Sequence, residues 1–208
     1  MAIVLNRGRV VLFVHVPKCA GTSVTSLLGG LGEVRFDDRV RLGRHWIHPR
    51  HLTATSLEKI FVKEMFDYSF MMVRNPVERL LSEFRYQSRK AFPRWQLFLG
   101  FDGWLAWSLK RAARHPGYRQ NHFRRQVEFR AFECDVFRIE DGLAPLVQKL
   151  NAEIDAKLPE EPEHLNPSPR QDLRMSRQSL DLILTTYADD FTAFGYPEDP
   201  DHYQHVLR

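Results

Sequence analysis

The run His15-Val16-Pro17-Lys18-Cys19-Ala20-Gly21-Thr22-Ser23 gathers a lysine, a glycine and two hydroxyl side chains within one turn. A glycine-containing turn that opens a helix presents backbone N–H groups without intrahelical acceptors, and the aligned peptide dipoles favour negative charge there. Lys18 adds a full positive charge, and Thr22 and Ser23 add hydroxyl donors. This equipment suits a phosphate or phosphosulfate group, although Pro-Lys-x-x-Gly would also make a plain tight turn. The lysine precedes the glycine, so the run is not the Gly-x-x-x-x-Gly-Lys-Ser/Thr loop of nucleoside triphosphatases. A second set is Arg74 with Ser82. Arginine forks onto phosphate oxygens. Alone, the pair reads as a surface arginine on a solvated helix face; beside the first loop, it reads as a second phosphate site. Three histidines, His45, His48 and His51, offer bases that ordinarily titrate near neutrality. Each of them is as readily a surface or structural histidine.

These residues need elements to hold them. Val10 to Val16 is apolar and β-branched almost throughout, which predicts a central strand covered on both faces. Pro17 ends it, and Gly21-Thr22-Ser23 opens a short helix over 24–28 stopped by Gly29-Gly30. Residues 33–36 predict another strand, the polar stretch 37–51 a loop, and Leu52 to Phe66 a helix. Tyr68 to Val73 predicts a second buried strand that delivers Arg74 at its carboxyl end, where α/β sheets bind ligands. Asn75 as N-cap and Pro76 at the first helical position start a helix running to about Lys90. Its apolar stripe is Val77, Leu80, Leu81 and Phe84; Glu78, Ser82, Arg85 and Arg89 fall on another face. A helical insertion over about 92–118 carries Trp95, Trp104 and Trp107. Beyond it come a short strand at Val136 to Ile139, a helix capped by Asp141 and running to about Ile154, and a Pro/Glu-rich loop at 158–163. A closing helix from Leu180 to Phe191 is stopped by Gly195. The pattern predicts one α/β domain over residues 1–208, a P-loop-type three-layer fold with a central, mainly parallel sheet flanked by helices.

Composition limits the partners. The 208 residues carry 30 basic and 26 acidic side chains, a net charge of +4 that suits an anionic ligand better than extensive wrapping of nucleic acid. No helix-turn-helix, finger or RNA-binding motif is visible, so no nucleic-acid partner is expected. Cys19 and Cys134 form no CxxC pair, which predicts reduced thiols in the cytoplasm. No apolar run approaches the roughly 20 residues of a membrane span, so no stable membrane insertion is expected. No His/Asp/Glu set has ligand spacing, and no metal is expected. The sequence leaves the oligomeric state and the acceptor open.

Pro17-Lys18-Cys19-Ala20-Gly21-Thr22-Ser23, followed by Val73-Arg74-Asn75-Pro76-Val77-Glu78-Arg79-Leu80-Leu81-Ser82-Glu83-Phe84-Arg85-Tyr86, resembles the sulfotransferases that use 3′-phosphoadenosine 5′-phosphosulfate (PAPS). The nearest resemblance is to their carbohydrate-modifying, heparan-2-sulfotransferase-like branch and its bacterial relatives. It implies that the first loop, Pro17 to Ser23, holds the 5′-phosphosulfate, with Lys18 also acting on the leaving oxygen. It implies too that Arg74 and Ser82 hold the 3′-phosphate, PAP being the product. Cys19 stands where relatives often carry a small or hydroxyl residue. His51-Leu52-Thr53-Ala54 resembles the family's His-Ala-Thr-Ala segment, which orders the candidate bases as His51, His48, His45, with Glu58 or Glu64 as carboxylate fallbacks. Phe137 to Asp141 resembles its Phe-Glu-x-x-x-Asp strand exit. His164 to Arg170 resembles its late Leu-Asn-x-Ser loop and adds Ser168 and Arg170 to the cofactor set, and Tyr187 to Tyr196 resembles its closing helix. Arg85, Arg89, Arg119, Arg124 and Arg125 make either a solvated face or a cleft for an anionic sugar, with the tryptophans as core or as stacking platforms. The competing readings are a P-loop kinase-like phosphotransferase, which needs Mg²⁺ and a strand-end carboxylate, and a non-catalytic nucleotide-binding module of the same fold.

Overall fold

In the computed structural model, which describes residues 1–89, 98–159 and 173–208, the first apolar stretch folds back on itself. Strands β1 (Ala2–Asn6) and β2 (Arg9–Val14) form an antiparallel hairpin with Ala2 opposite Phe13 and Asn6 opposite Arg9. Arg7 and Gly8 make its turn with φ of 48° and 83°, the double left-handed geometry that matches the twist of paired strands. Sequence reading missed β1, because an Arg-Gly turn lacks the Asn-Gly signature and the apolar run before it is short. The chain divides into two units, Met1–Val73 with Glu128–Pro167, and Arg74–Val127 with Ser168–Arg208.

The first unit is built on a five-stranded sheet among the described residues, ordered β3-β1-β2-β6-β7, with β3 at Val34–Arg35, β6 at Tyr68–Val73 and β7 at Asp135–Arg138. β2, β6 and β7 run parallel, with Val14 opposite Met71 and Val73 opposite Arg138, while β1 and β3 are antiparallel. The chain is therefore α/β, with a mixed sheet that is parallel where β2 and β6 meet. β2 is the middle strand, and Val11 to Val14 are fully buried, as its unbroken apolar run requires. Helices α1 (Gly21–Gly29), α2 (Ala54–Leu57) and, later in the chain, α5 (Ala144–Ile154) belong to this unit.

Three expectations for this unit are corrected. Residues 37–51 are not one loop: β4 (Val40–Leu42) and β5 (His45–Ile47) pair about Gly43, and a 3-10 turn follows at Pro49–His51. The helix expected from Leu52 to Phe66 shrinks to α2 and a 3-10 turn at Lys63–Met65, with Val62 extended at φ −110° and ψ 153°. Ile60, Phe61 and Val62 are β-branched or aromatic, and lose rotamer freedom in a helix. Asp141 caps no helix: it ends a 3-10 turn, and its carboxylate accepts from Arg138 at 3.0 and 3.1 Å, while α5 begins three residues later at Ala144. Most of the expected loop at 158–163 lies outside the described residues.

The second unit is helical among the described residues: α3 (Pro76–Arg89), α4 (Gly100–Arg114), α6 (Arg177–Thr186) and α7 (Ala188–Phe194). Asn75 Oδ1 accepts the Val77 N–H at 3.0 Å, so the expected cap is present. Val77, Leu80, Leu81 and Phe84 are buried as a stripe, but so are Arg79, Glu83 and Gln87. Those three line up at helical spacing, and Glu83 and Gln87 bond to each other and to their surroundings. Gln87 donates to Glu83 at 2.6 Å, Glu83 faces His122 Nδ1 at 2.8 Å, and the Trp104 indole donates to Gln87 at 3.0 Å. Trp104 is thus a core residue, not a platform for a sugar; Trp95 lies outside the described residues. The closing helix is two helices, broken at Tyr187 (φ −112°, ψ 22°), whose hydroxyl donates to the Phe123 carbonyl at 2.9 Å. Gly195, left-handed at φ 66°, ends α7 as its position suggested.

Candidate active site

β2 ends at Val14, and the chain then turns through Lys18 and Ala20, both left-handed at φ 67° and 57°. For residues with a side chain this conformation costs about 1–2 kcal/mol each. Left-handed residues in such a loop aim backbone N–H groups into a concavity that suits an anion. Cys19, between them, is buried; its N–H reaches the Val16 carbonyl at 3.4 Å and its thiol the Pro17 carbonyl at 3.6 Å. Cys19 therefore closes the turn from the inside. α1 starts at Gly21, its first bond running from the Val24 N–H to the Ala20 carbonyl at 3.0 Å, and Ala20 offers no side-chain cap. The amides of Gly21 and Thr22 consequently have no intrahelical acceptor. Lys18 is half-buried and Thr22 exposed at this helix start. Backbone strain, an uncapped helix end and a lysine coincide at the run singled out by sequence.

Gly21 owes its place to packing. It is not among the left-handed glycines, but a Cβ there would lie 1.7 Å from His15 Nε2. The His15 ring is buried, stacks on Phe13 at 5.3 Å and meets His51 edge-on at 4.9 Å. Its Nδ1 lies 4.0 Å from the Asp37 carboxylate. Asp37 in turn accepts from the Thr25 hydroxyl of α1 at 3.1 Å and pairs with Arg50 at 3.2 Å. Among the described candidate bases, His51 is brought against the first loop's own histidine; it is half-buried, whereas His48 is exposed. His45 lies in β5, and its side chain is outside the described residues. The contact between His15 and His51 leaves no trace in the sequence, because 36 positions separate them and neither lies in a periodic pattern.

In the second unit Arg74 is the first residue after β6, and its guanidinium lies 3.6 Å from Glu78. Ser82 is half-buried on α3, with Arg85 and Arg89 at helical spacing beyond it. Burial holds the Arg85 guanidinium below its ordinary value; Glu78 raises it, and the charges of Arg74 and Arg89 lower it again. Those couplings mark a concentration of positive charge beside Ser82. The Arg74 backbone is held by a residue that sequence reading overlooked: Gln126, wholly buried, accepts its N–H at 2.9 Å and donates to its carbonyl at 2.8 Å. Nothing in a lone glutamine signals such a role. The other arginines are engaged on the protein: Arg119 lies over the Tyr118 ring at 5.6 Å, Arg124 donates to Asn121 at 3.3 Å and Arg125 pairs with Asp189. Ser168 and Arg170 lie outside the described residues.

Cys134 is buried, and desolvation pushes its thiol up to about 12, so it is protonated and inert at neutral pH. No helix among the described residues is long and apolar enough to cross a membrane. Searches of curated proteins and of solved structures give no match. The model of the sulfotransferase family matches residues 1–197, all but the last eleven of the chain's 208 residues. The chain belongs to the sulfotransferase family.

Proposed function

We propose that this chain transfers the sulfuryl group of PAPS to a hydroxyl of a carbohydrate, with no metal, in the cytoplasm. The observation that carries the reading is the first loop: two left-handed residues, an uncapped helix start and Lys18 follow directly on the middle strand. Left-handed backbone alone does not mark a site, since Arg7 adopts it in the β1–β2 turn; its coincidence with an uncapped helix start and a lysine is what suits an anion. Such a loop fits a phosphosulfate, whose oxygens accept from amides and ammonium and need no side-chain cap in competition. PAPS supplies a sulfur that accepts the hydroxyl oxygen while its bond to the bridging phosphate oxygen breaks. The chain's residues do the rest. Lys18 and the Gly21 and Thr22 amides neutralise charge on the phosphate side, and Pro17 to Ser23 keep it in place. Arg74 and Ser82 take the 3′-phosphate by their match to the family's second motif, with Ser168 and Arg170 assigned by the same resemblance. His51 takes the acceptor hydroxyl's proton, its ring set against His15; His48 is the alternate base. The carbohydrate acceptor follows from the branch that the motifs resemble, and Arg85 and Arg89 suit an anionic sugar.

Calorimetry with PAP on the wild type and on Arg74→Ala tests the reading. The wild type binds PAP, and Arg74→Ala loses at least about tenfold in affinity, as expected for a charge-assisted contact to phosphate. Absence of PAP binding to the wild type would sink the proposal.

A further inference from the structure

Arg74 stands at the start of the second unit, outside any strand and before α3 begins, so no backbone ladder fixes it. Its backbone is instead gripped at both ends by the Gln126 side chain, at 2.9 Å on the N–H and 2.8 Å on the carbonyl. Gln126 is itself pinned. Its N–H donates to Asp190 Oδ2 at 2.8 Å, and the neighbouring Val127 N–H donates to Oδ1 of the same carboxylate at 3.0 Å. Gln126 and Asp190 are both fully buried. The next residue is fixed in the same manner: Asn75 donates to the Tyr203 hydroxyl at 2.9 Å, and that hydroxyl donates to the Pro197 carbonyl at 2.7 Å. Late segments of the chain thus hold one short stretch of backbone whose side chain carries a guanidinium.

Burying a primary amide and a carboxylate is costly unless each is satisfied. A plain helix start would need neither, since Asn75 already caps α3. We infer that Gln126, backed by Asp190, is a positioning residue for Arg74 and sets the chain's preference for a nucleotide carrying a 3′-phosphate. The inference rests on the reading that Arg74 holds that phosphate. A forked hydrogen-bond pair demands a fixed guanidinium direction, and the Gln126 amide fixes the backbone from which the side chain springs.

The probes are PAP and adenosine 5′-monophosphate, which differ only by the 3′-phosphate. The variants are Gln126→Met, which removes both bonds, and Gln126→Asn, which keeps the amide one methylene short and serves if the first does not fold. Titration calorimetry on each should show PAP affinity falling about tenfold or more while affinity for the monophosphate changes less than about threefold. In an Arg74→Ala background, the Gln126 change should cost no further discrimination. Equal weakening toward both nucleotides would overturn the inference, since a merely structural glutamine would act that way; so would additive losses in the double variant. If Arg74→Ala weakens PAP and Gln126→Asn leaves PAP affinity intact, only the positioning role falls. If the wild type does not distinguish PAP from the monophosphate, the reading of Arg74 falls and takes the inference with it.

Discussion

Replacing Gly21 by alanine tests why the first loop has its shape. The added Cβ would lie 1.7 Å from His15 Nε2, 2.1 Å from Cε1 and 2.5 Å from Cδ2. No flexible side-chain end is there to swing aside, because the imidazole is only 7% exposed and packs against Phe13 and His51. Either the ring or the helix start must shift. Overpacking of this kind costs about 1–3 kcal/mol, which for a chain of this size lowers Tm by about 2–12 °C. Gly29→Ala is the control: nothing lies within 4 Å of its Cβ, and it sits at the other end of the same helix. That change should be neutral or stabilising by up to about 1 kcal/mol. Chemical denaturation of Gly21→Ala, His15→Ala and the double variant closes a cycle. With the ring gone, the alanine at 21 should cost less than about 0.5 kcal/mol, leaving a coupling of about 1–3 kcal/mol. Equal costs in the two backgrounds would refute the collision and return Gly21 to a backbone role.

Two further outcomes follow from the first unit. His51→Ala should lower PAPS turnover by about 10²–10⁴-fold with PAP affinity unchanged, and near-normal turnover would pass the base to another residue. Asp67 accepts from the Val10 N–H at 2.7 Å and from Arg9 at 2.8 Å, and these bonds, the backbone one foremost, hold its carboxyl below the ordinary aspartate value of 3.8. Its stabilising contribution is present above that value and is lost as pH falls through the depressed one. Denaturation midpoints of Asp67→Asn should therefore fall less steeply below pH 4 than those of the wild type, and coincident acid limbs would contradict the assignment.

Legibility in the sequence followed the strength of local physics. β6 is legible residue for residue, because Tyr68 to Val73 is a buried parallel strand bounded by Asp67 and Arg74. The Asn75 cap is legible because a short polar side chain directly before a proline suits the N-cap position. β1 and the β4–β5 hairpin were missed, since strands of five and three residues show almost no period, and their turns use Arg-Gly and Gly-Arg pairs. The closing segment reads as one helix in sequence because Tyr187 suits a helical pattern; its hydroxyl's partner at Phe123, 64 positions away, accompanies the break and is invisible there. For the candidate site, the residues proposed to face the ligand are legible by type and spacing, while those packed behind them are not. His15, Asp37, Gln126 and Asp190 act through contacts whose sequence separation leaves no local trace.

α3 shows how the hidden part is built. One face, Val77, Leu80, Leu81 and Phe84, is ordinary core, and another presents Ser82, Arg85 and Arg89. Between them Arg79 is 1% exposed, and a buried guanidinium is costly unless its charge and donors find partners. Its Nε finds none among the described residues, so the terminal nitrogens carry the compensation. Its two terminal nitrogens donate to the carbonyls of His122 and Arg124 at 3.1 and 2.9 Å, and its charge lies over the Tyr187 ring at 5.2 Å. Glu83, one turn on, engages the His122 ring at 2.8 Å. The stretch they grip runs through three consecutive left-handed residues, Arg119, Gln120 and Asn121, and has no ladder of its own to hold it. It leads directly to Gln126, which grips Arg74. The buried polar stripe on α3 thus trades desolvation for the shape of a loop, and the end of that loop returns to fix the residue that starts the helix. A hydrophobic stripe in its place would bury as much surface, but would leave those carbonyls unmet and Gln126 without a fixed approach to Arg74.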